Sequence, residues 1–337
     1  MEIAAHTSMH LPIEIYDVYT GLPFSGRSVA SVWTQTAPPN ASLLGALLSR
    51  QADEALLVWQ ENDQYQLHVF QQGAAVNRLE GSAIAVGYAL FQKEGEEREQ
   101  QPRFVFEGQQ LDDLTLYTLP GSGLPLVMHH VVLPEQVGVV ENIADLLEAM
   151  GLEAEESDPH LLPQLLRLQQ SGWLVIGFPQ LSSVVASGDP KEVEVEANWS
   201  SQVAGILHQM RIDGLAFFTL EHEDPGTSVH LRSWSVQKNS ILQEEVASEE
   251  AAAAVAATLA NSGLLGSASS ATTILTVESG LELGRRCHMM IGMDGDAGRI
   301  TQIQVGGNAC LRLSGSIVWS EEISRALGYR KGPLHGI

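Results

Sequence analysis

Two stretches of the chain are apolar on nearly every side of a helical projection. The first covers residues 80–91 and reads EGSAIAVGYALF, and the second covers residues 249–259 and reads EEAAAAVAATL. A helix that is apolar all round, yet too short to cross a membrane, belongs in the interior of a protein. We therefore predict two buried central helices that are rich in alanine and glycine.

A strand-like run precedes each of these helices, YQLHVF at residues 65–70 and VHLRSWSV at residues 229–236. A repeated order of strand, polar loop and buried helix indicates two related halves. The predicted fold class is α+β, with two pseudo-repeated barrel halves, each a curved, mostly antiparallel sheet around its central helix. The first turn of such a helix has unpaired backbone N–H groups, so we expect functional groups in a cleft lined by the two helix starts.

The remaining patterns place the other elements and the boundary between the halves. Alternating polar and apolar residues predict strands on both sides of each central helix, and Leu-rich periodicity predicts a helix at residues 41–50. We expect the first half to comprise residues 1–133 and the second half residues 134–337. An acidic, Leu-rich insertion at about 134–170 is predicted to form one or two surface helices, IADLLEAMGL and HLLPQLLRLQ. A closing helix is predicted at residues 321–327, and whether the extreme C-terminus packs back on the first half stays open.

The charge balance argues against two classes of partner. The 337 residues include 18 Lys and Arg against 41 Asp and Glu, a formal net charge of −23, which repels nucleic acids and anionic membrane surfaces. The start of the chain lacks a basic region followed by a long apolar stretch, and no segment offers about 20 uninterrupted apolar residues. We expect a soluble, cytoplasmic protein. Cys287 and Cys310 are too few for a disulfide framework or a structural zinc site, and we predict buried free thiols.

The order of several motifs along the chain resembles the PhzF family of phenazine biosynthesis, which has the diaminopimelate-epimerase fold. The matching segments include IEIYDVYTGLPFSGRSVASVW, ADEALLV, LEGSAIAVGYAL, VHLRSWSV and RITQIQVGGNACLRLSG, and they cover most of the chain outside residues 134–170. The resemblance implies an isomerase or epimerase that moves a proton on a small carboxylated metabolite without a metal or an organic cofactor. It also implies a homodimer, with the metabolite bound in the cleft between the halves.

The resemblance assigns the catalytic glutamate to Glu54, within QADEALLV, and an acid near the second helix start to Glu245. A carboxylate that is desolvated in an apolar cleft can both give and take a proton near neutral pH, which suits general acid–base catalysis. The substrate-binding positions that the resemblance implies are Asp53, Gly81, Ser82, Arg27, Ser248 and Glu250.

Three motifs depart from the family pattern. The early Gly-Asn-Pro of the family is Gly26-Arg27-Ser28 here, its histidine at the first helix start is Ser82, and its Gly-Ser pair at the second helix start is Glu249-Glu250. Ser248 and the two acids suit a helix start, because the hydroxyl caps it and carboxylates interact well with its positive end. The same carboxylates would repel an anionic substrate, and Arg27 or Arg78 would then hold the anion.

Three functions stay open from the sequence. The first is an active isomerase or epimerase on an altered substrate, in which Glu54 and Glu245 exchange protons. The second is an active enzyme on a cationic or neutral ligand, attracted by the acids near the helix starts. The third is a catalytically silent protein that binds a ligand or another protein. Adjacent His129 and His130 are predicted to point to opposite faces of a strand, so they would not share a metal ion.

Overall fold

The structure is a computed structural model of the chain, and it describes residues 9–94, 104–106, 109–111, 114–118, 125–188, 193–222, 224, 226–237, 239–265, 273–296 and 299–320. Its strands are β1 (Met9–Val18), β2 (Arg27–Thr34), β3 (Glu54–Glu61), β4 (Gln64–Gln71), β5 (Ala74–Val76), β6 (Phe104–Phe106), β7 (Gln109–Leu111), β8 (Leu114–Thr118), β9 (Pro125–Val131), β10 (Glu135–Val139), β11 (Gln164–Leu168), β12 (Ser171–Phe178), β13 (Gly214–Thr219), β14 (Val229–Val236), β15 (Leu242–Glu245), β16 (Thr273–Ser279), β17 (Cys287–Asp296), β18 (Arg299–Gly307) and β19 (Ala309–Trp319). Its α-helices are α1 (Ala41–Leu48), α2 (Gly81–Glu94), α3 (Ala144–Ala149), α4 (Leu181–Ala186), α5 (Val193–Gln209) and α6 (Glu249–Asn261).

The chain divides into two compact units, and each has its own sheet. Unit 1 extends to Leu114 and resumes at Asn308, and unit 2 is Thr115–Gly307. In the described chain, the strand order in unit 1 is β19-β1-β2-β3-β4-β6-β7, with β5 beside β4. The second sheet has the order β10-β11-β12-β13-β14-β16-β17-β18-β9-β8, with β15 beside β14. This pairing differs from a division at residue 133, because β9 already belongs to the second sheet and β19 returns to the first.

One connection pattern occurs in both sheets, as expected for an internal repeat. In unit 1, β2 is antiparallel to β1, α1 leads to β3 parallel to β2, β4 is antiparallel to β3, and β5 folds back on β4 before α2. In unit 2, β11, β12, β13, β14 and β15 follow the same order and directions before α6. The strand after each central helix then runs parallel to β4 or β14. The fold is therefore α+β with mostly antiparallel sheets, as predicted.

Both central helices are buried by their own sheets, which confirms the prediction from the apolar runs. Residues 82–86 of α2 are buried, and the helix packs on β1, β2 and β3. Residues 251–259 of α6 are buried, and this helix packs on β12, β13, β17 and β18. Because alanine side chains are small, the strands can approach α6 closely and still reach the packing density of a protein interior.

The stretch 134–170 is part of the core of unit 2 rather than a surface insertion. The predicted helix in IADLLEAMGL is present as α3, and its Leu146 and Leu147 lie in the core with Trp234. The prediction of a helix in HLLPQLLRLQ is wrong, since β11 occupies it and pairs with β10 and β12. The physical reason is a two-residue period, in which Leu166 and Leu168 are buried and Arg167 between them is exposed.

Three further expectations concern the remaining segments. None of the described helices has the length and hydrophobicity that a membrane span requires. Both cysteines are free thiols in strands, but only Cys287 is fully buried. Partial burial and the neighbouring Asp17 raise the pKa of Cys310 to about 11, so this thiol stays protonated near neutral pH. The predicted closing helix at residues 321–327 lies outside the described residues.

Gly306 on β18 offers a direct test of the pairing between β18 and β9. A Cβ atom at this position would lie 2.0 Å from the carbonyl oxygen of Val127 on β9. Because backbone cannot move aside without disturbing the strand pair, we expect Gly306→Ala to lower the free energy of unfolding by about 1–3 kcal/mol in urea denaturation. Gly138 on β10 faces open space, so Gly138→Ala should change it by less than about 0.5 kcal/mol. Equal effects of the two substitutions would contradict the pairing.

Candidate functional site

A fully buried carboxylate lies against the start of the central helix of unit 1. Glu54 is the first residue of β3 and is 0% exposed. Its Oε2 atom accepts hydrogen bonds from the backbone N–H of Ser82 at 2.9 Å and from the Ser82 hydroxyl at 2.5 Å. Ser82 belongs to the first turn of α2, where backbone N–H groups lack partners within the helix. The structure therefore brings together two of the residues that the sequence analysis named, Glu54 and Ser82.

Arg27 joins this carboxylate to a second one. Its Nε atom lies 2.8 Å from Oε1 of Glu54, and its Nη2 atom lies 2.7 Å from Oε2 of Glu80. Arg78 also contacts Glu80, with 3.2 Å between Nε and Oε1. We refer to Arg27, Glu54, Glu80, Arg78 and Ser82 as the Arg27 cluster. Its two arginines and two glutamates balance in charge, as buried ionic groups require.

Gly81 lets α2 begin close to the Arg27 cluster. A Cβ atom at this position would lie 2.9 Å from a methyl group of Val18 and 3.3 Å from Oε1 of Glu54. A side chain here would therefore press on the carboxylate or on the core of β1. In this structure, Gly81 allows the backbone at the start of α2 to lie close to Val18 and Glu54.

Asp53, the neighbour of Glu54, turns its carboxylate towards β2. Its Oδ2 atom accepts hydrogen bonds from the backbone N–H of Ser28 at 2.7 Å and from the Ser28 hydroxyl at 2.8 Å. Unit 2 has the same arrangement at the same place in the repeat, where Asp213 precedes β13 and accepts from the backbone N–H of Gly172 at 2.8 Å. Asp53 and Asp213 therefore both fasten the start of one parallel strand to the start of the next.

The central helix of unit 2 begins with a different arrangement. Ser248 is its N-cap, and the hydroxyl accepts a hydrogen bond from the backbone N–H of Ala251 at 3.3 Å, as the sequence predicted. Glu249 is buried, and its Oε2 atom lies 2.8 Å from Nε2 of His129. Glu250 accepts a hydrogen bond from Nε1 of Trp173 at 3.0 Å. The two acids thus have partners in their own unit, which the sequence alone did not indicate.

Glu245 and the two adjacent histidines complete the sequence-predicted set. Glu245 is partly exposed at the end of β15, directly opposite Ser233 on β14. His129 contacts Glu249, whereas the ring of His130 contacts Gln302 on the neighbouring strand. The prediction that the two histidine rings point in opposite directions is confirmed. Glu54, Ser82, Gly81 and Arg27 therefore share one site in unit 1, and Ser248, Glu249 and Glu250 share one helix start in unit 2.

No protein-family model matches the sequence, and no curated protein matches it. Solved structures do match. A PhzF-family phenazine biosynthesis protein from Bacillus anthracis has a TM-score of 0.76 at 15% identity, over 92% of this chain and 100% of that chain. The chain has the PhzF fold. A predicted epimerase from Pseudomonas aeruginosa has a TM-score of 0.65 at 17% identity, over 91% and 99% of the two chains. A hydroxyproline epimerase from Agrobacterium vitis, solved with trans-4-hydroxy-L-proline, has a TM-score of 0.57 at 12% identity, over 93% and 94%.

On this PhzF fold, unit 2 also contains a buried ionic cluster that the sequence reasoning missed. His230 is buried, with Nε2 2.8 Å from Oε1 of Glu282 and Nδ1 3.4 Å from Oε2 of Glu278. Arg232 donates two hydrogen bonds to the carboxylate of Glu244, at 2.8 and 2.7 Å. We call these five residues the His230 cluster. The available signal was the alternation in VHLRSWSV, which places His230 and Arg232 on one face of β14.

Beside the His230 cluster, Asp224, Glu278 and His288 bring ligand atoms within 4.8 Å of one another, close enough to share a metal ion. Arg286 already bridges this group, since its guanidinium contacts Oδ2 of Asp224 at 2.8 Å and also contacts Glu278. The arginine therefore supplies positive charge between the two carboxylates.

Protonation of the His230 cluster follows from its contacts. Burial lowers the pKa of His230, but the hydrogen bonds and charges of Glu282 and Glu278 outweigh it, and the net pKa is raised above its usual value. Burial raises the pKa of Glu282, and contact with His230 and Arg232 outweighs this and lowers it. The imidazolium and carboxylate forms are therefore both favoured in the folded state.

We expect the stability contributed by His230 to depend on pH. Since the folded pKa is raised, the contribution is complete below the unfolded value of about 6.5 and is lost as pH rises through the folded value. His230→Gln should therefore lower the free energy of unfolding by about 1–2 kcal/mol at pH 6 and by less at pH 9. Urea denaturation at both pH values checks this, with His208→Gln on the exposed side of α5 as control. A cost that does not change with pH would contradict the charged form of His230.

Proposed function

We propose that the protein is a cofactor-independent isomerase or epimerase that moves a proton on a small carboxylated metabolite, with Glu54 as the proton-carrying group. The observation that supports this most is the fully buried carboxylate at the first turn of α2. It occurs on a fold that the chain shares with a hydroxyproline epimerase and a predicted epimerase.

In the proposed step, Glu54 takes a proton from a carbon atom next to an acidifying group of the metabolite. The C–H bond breaks, its electron pair stays on the metabolite, and the proton joins a carboxylate oxygen of Glu54. Return of the proton, to the other face or to another carbon, then forms the new C–H bond. Ser82 and Arg27 hold the two carboxylate oxygens and so fix the orientation of the base.

Two further roles complete the proposal. We assign the role of second proton-carrying group to Glu245, which is partly exposed. The resemblance to the PhzF family implies this residue, as it implies Glu54. For the carboxylate of the metabolite we favour Arg78 over Arg27. The side chain of Arg78 is 39% exposed, whereas Arg27 is buried between two glutamates. The planar guanidinium group matches the geometry of a carboxylate.

Proton exchange tests the reaction itself. Incubation in deuterated water with a panel of small carboxylated and amino metabolites should label at least one of them at carbon, as measured by mass spectrometry. Glu54→Gln should lower the labelling rate by at least about 100-fold, the usual contribution of a general acid or base. Glu61→Gln, an exposed change on the same strand, should leave the rate unaltered. The proposal fails if the wild-type protein labels no metabolite, or if folded Glu54→Gln labels at the wild-type rate.

A catalytically silent binding protein is the second candidate, and the start of α6 favours it. A carboxylate ligand at that helix start would meet Glu249 and Glu250. Their contacts with His129 and Trp173 hold both side chains in the first turn. An anion-binding role of this helix start would then be blocked by the protein itself, because like charges repel.

Calorimetry on two variants distinguishes the anion sites. If the α6 start is blocked by its acids, the double change Glu249→Gly and Glu250→Ser should raise carboxylate affinity by one to two decades, about 1.4 kcal/mol per decade. The gain should shrink with added salt. If Arg78 holds the anion, Arg78→Ala should lower the affinity and the double change should leave it unaltered. Labelling by the wild-type protein would exclude the silent candidate.

A further inference from the structure

We propose that Glu80 is a positioning residue for Glu54, because it shares the guanidinium of Arg27 and so keeps Glu54 able to accept a proton. This inference rests on the proposed function, in which Glu54 carries the proton. Glu80 itself is assigned no contact with the metabolite and acts through Arg27.

Arg27 lies between the carboxylates of Glu54 and Glu80. One guanidinium reaches two carboxylates, with Nε 2.8 Å from Glu54 and Nη2 2.7 Å from Glu80. All three side chains are buried. In an interior of low dielectric, an arginine that contacted Glu54 alone would strongly favour its carboxylate form and weaken it as a base. Sharing the arginine with Glu80 reduces that effect.

Glu80 also affects the state that follows proton transfer to Glu54. When Glu54 accepts a proton, it becomes neutral and its ion pair with Arg27 is lost. A buried arginine without a counterion is strongly unfavourable. Here Arg27 keeps Glu80 as its counterion, so protonation of Glu54 does not leave a buried charge unbalanced. Glu80 thereby lowers the free-energy cost of the step that the proposed reaction requires.

The backbone at Glu80 is the third and independent observation. Its φ angle is 37°, in the left-handed region that glycine and asparagine tolerate better than glutamate. The side chain is nevertheless held by Arg27, Arg78 and the amide of Gln71, which donates to Oε2 at 3.3 Å. Strained residues that their surroundings hold in place cluster at functional sites. A glutamate at this position therefore requires a reason beyond helix initiation.

Other charged groups nearby in the described chain have separate partners. Asp53 accepts hydrogen bonds from Ser28, and Asp17 on β1 lies 3.1 Å from Arg312 on β19. Glu14 on β1 contacts Lys93, in the last turn of α2. Glu54 and Glu80 both form ion pairs with Arg27, and Glu80 also forms one with Arg78. A change at Glu80 should act on Glu54 mainly through Arg27.

The test combines a titration with a rate measurement. Carbon-13 NMR of the glutamate carboxyl groups, with the Glu54 signal assigned from Glu54→Gln, gives the titration midpoint of Glu54 without any metabolite. In Glu80→Gln this midpoint should fall by about one pH unit. The acidic limb of the labelling rate should move to lower pH by the same amount, and kcat near neutral pH should fall about tenfold with KM unchanged.

Two further variants separate the effect of the Glu80 charge from the effect of its strained backbone. Glu80→Gly also relieves the left-handed backbone, so it should show the same fall in midpoint and be more stable than Glu80→Gln, which loses the same charge but keeps the strain. Glu80→Asp keeps the negative charge, so the titration midpoint of Glu54 should lie between its values in Glu80→Gln and in the wild type. Glu61→Gln removes an exposed charge on β3 and is the matched control, in which the midpoint should not change. An unchanged Glu54 midpoint in both Glu80→Gln and Glu80→Gly would overturn the inference and leave Glu80 a structural residue.

The two measurements also distinguish this inference from the proposed function. If the wild-type protein labels no metabolite but the Glu54 midpoint falls in Glu80→Gln, the proposed reaction is wrong and the link from Glu80 through Arg27 to Glu54 stands. If labelling occurs and the midpoint does not move, the reaction stands and the link is wrong.

Discussion

A helix enclosed by a sheet must satisfy its first backbone N–H groups without bulk water, and the polar chemistry of both units depends on this constraint. Unit 1 meets it with an acid on the strand, since Glu54 accepts from the backbone and hydroxyl of Ser82. Unit 2 meets it with a hydroxyl, since Ser248 accepts from the backbone N–H of Ala251, and its acids lie on the helix. Glu250 in the first turn of α6 accepts from the indole of Trp173 on β12. The accepting carboxylate therefore lies on the strand in unit 1 and on the helix in unit 2, and the donor lies on the other element in each case.

The repeat also explains why only one unit has a carboxylate at the strand start. Glu54 on β3 corresponds to Gly214 on β13, because each is the first residue of the strand that runs parallel to its predecessor. At Gly214 the Trp173 ring fills the space, and a Cβ atom there would lie 2.6 Å from it. An acid at position 214 would collide with the indole. A buried carboxylate at the start of this parallel strand is therefore found in unit 1 and not at Gly214 of unit 2.

The sequence predicted what depends on local pattern and not what depends on distant pairing. The apolar runs identified α2 and α6, and the motif around Glu54 identified the carboxylate that contacts Ser82. The segment HLLPQLLRLQ failed because leucines in pairs fit a helix as well as a strand, and only pairing with β10 and β12 decides between them. Arg27, Glu54 and Glu80 are far apart in sequence, so no spacing rule could show one guanidinium between two acids.

The pairing of β1 with β19 has a consequence for the order of folding. Val18 pairs with Ala309 and Met9 with Trp319, so this strand pair joins segments from opposite ends of the described chain. During synthesis, every strand of the second sheet leaves the ribosome before β19 does. Until then β1 has an open edge that invites pairing with other strands. Closure across such a long loop is slow, so unit 1 should be the last to mature and the one most exposed to misassembly.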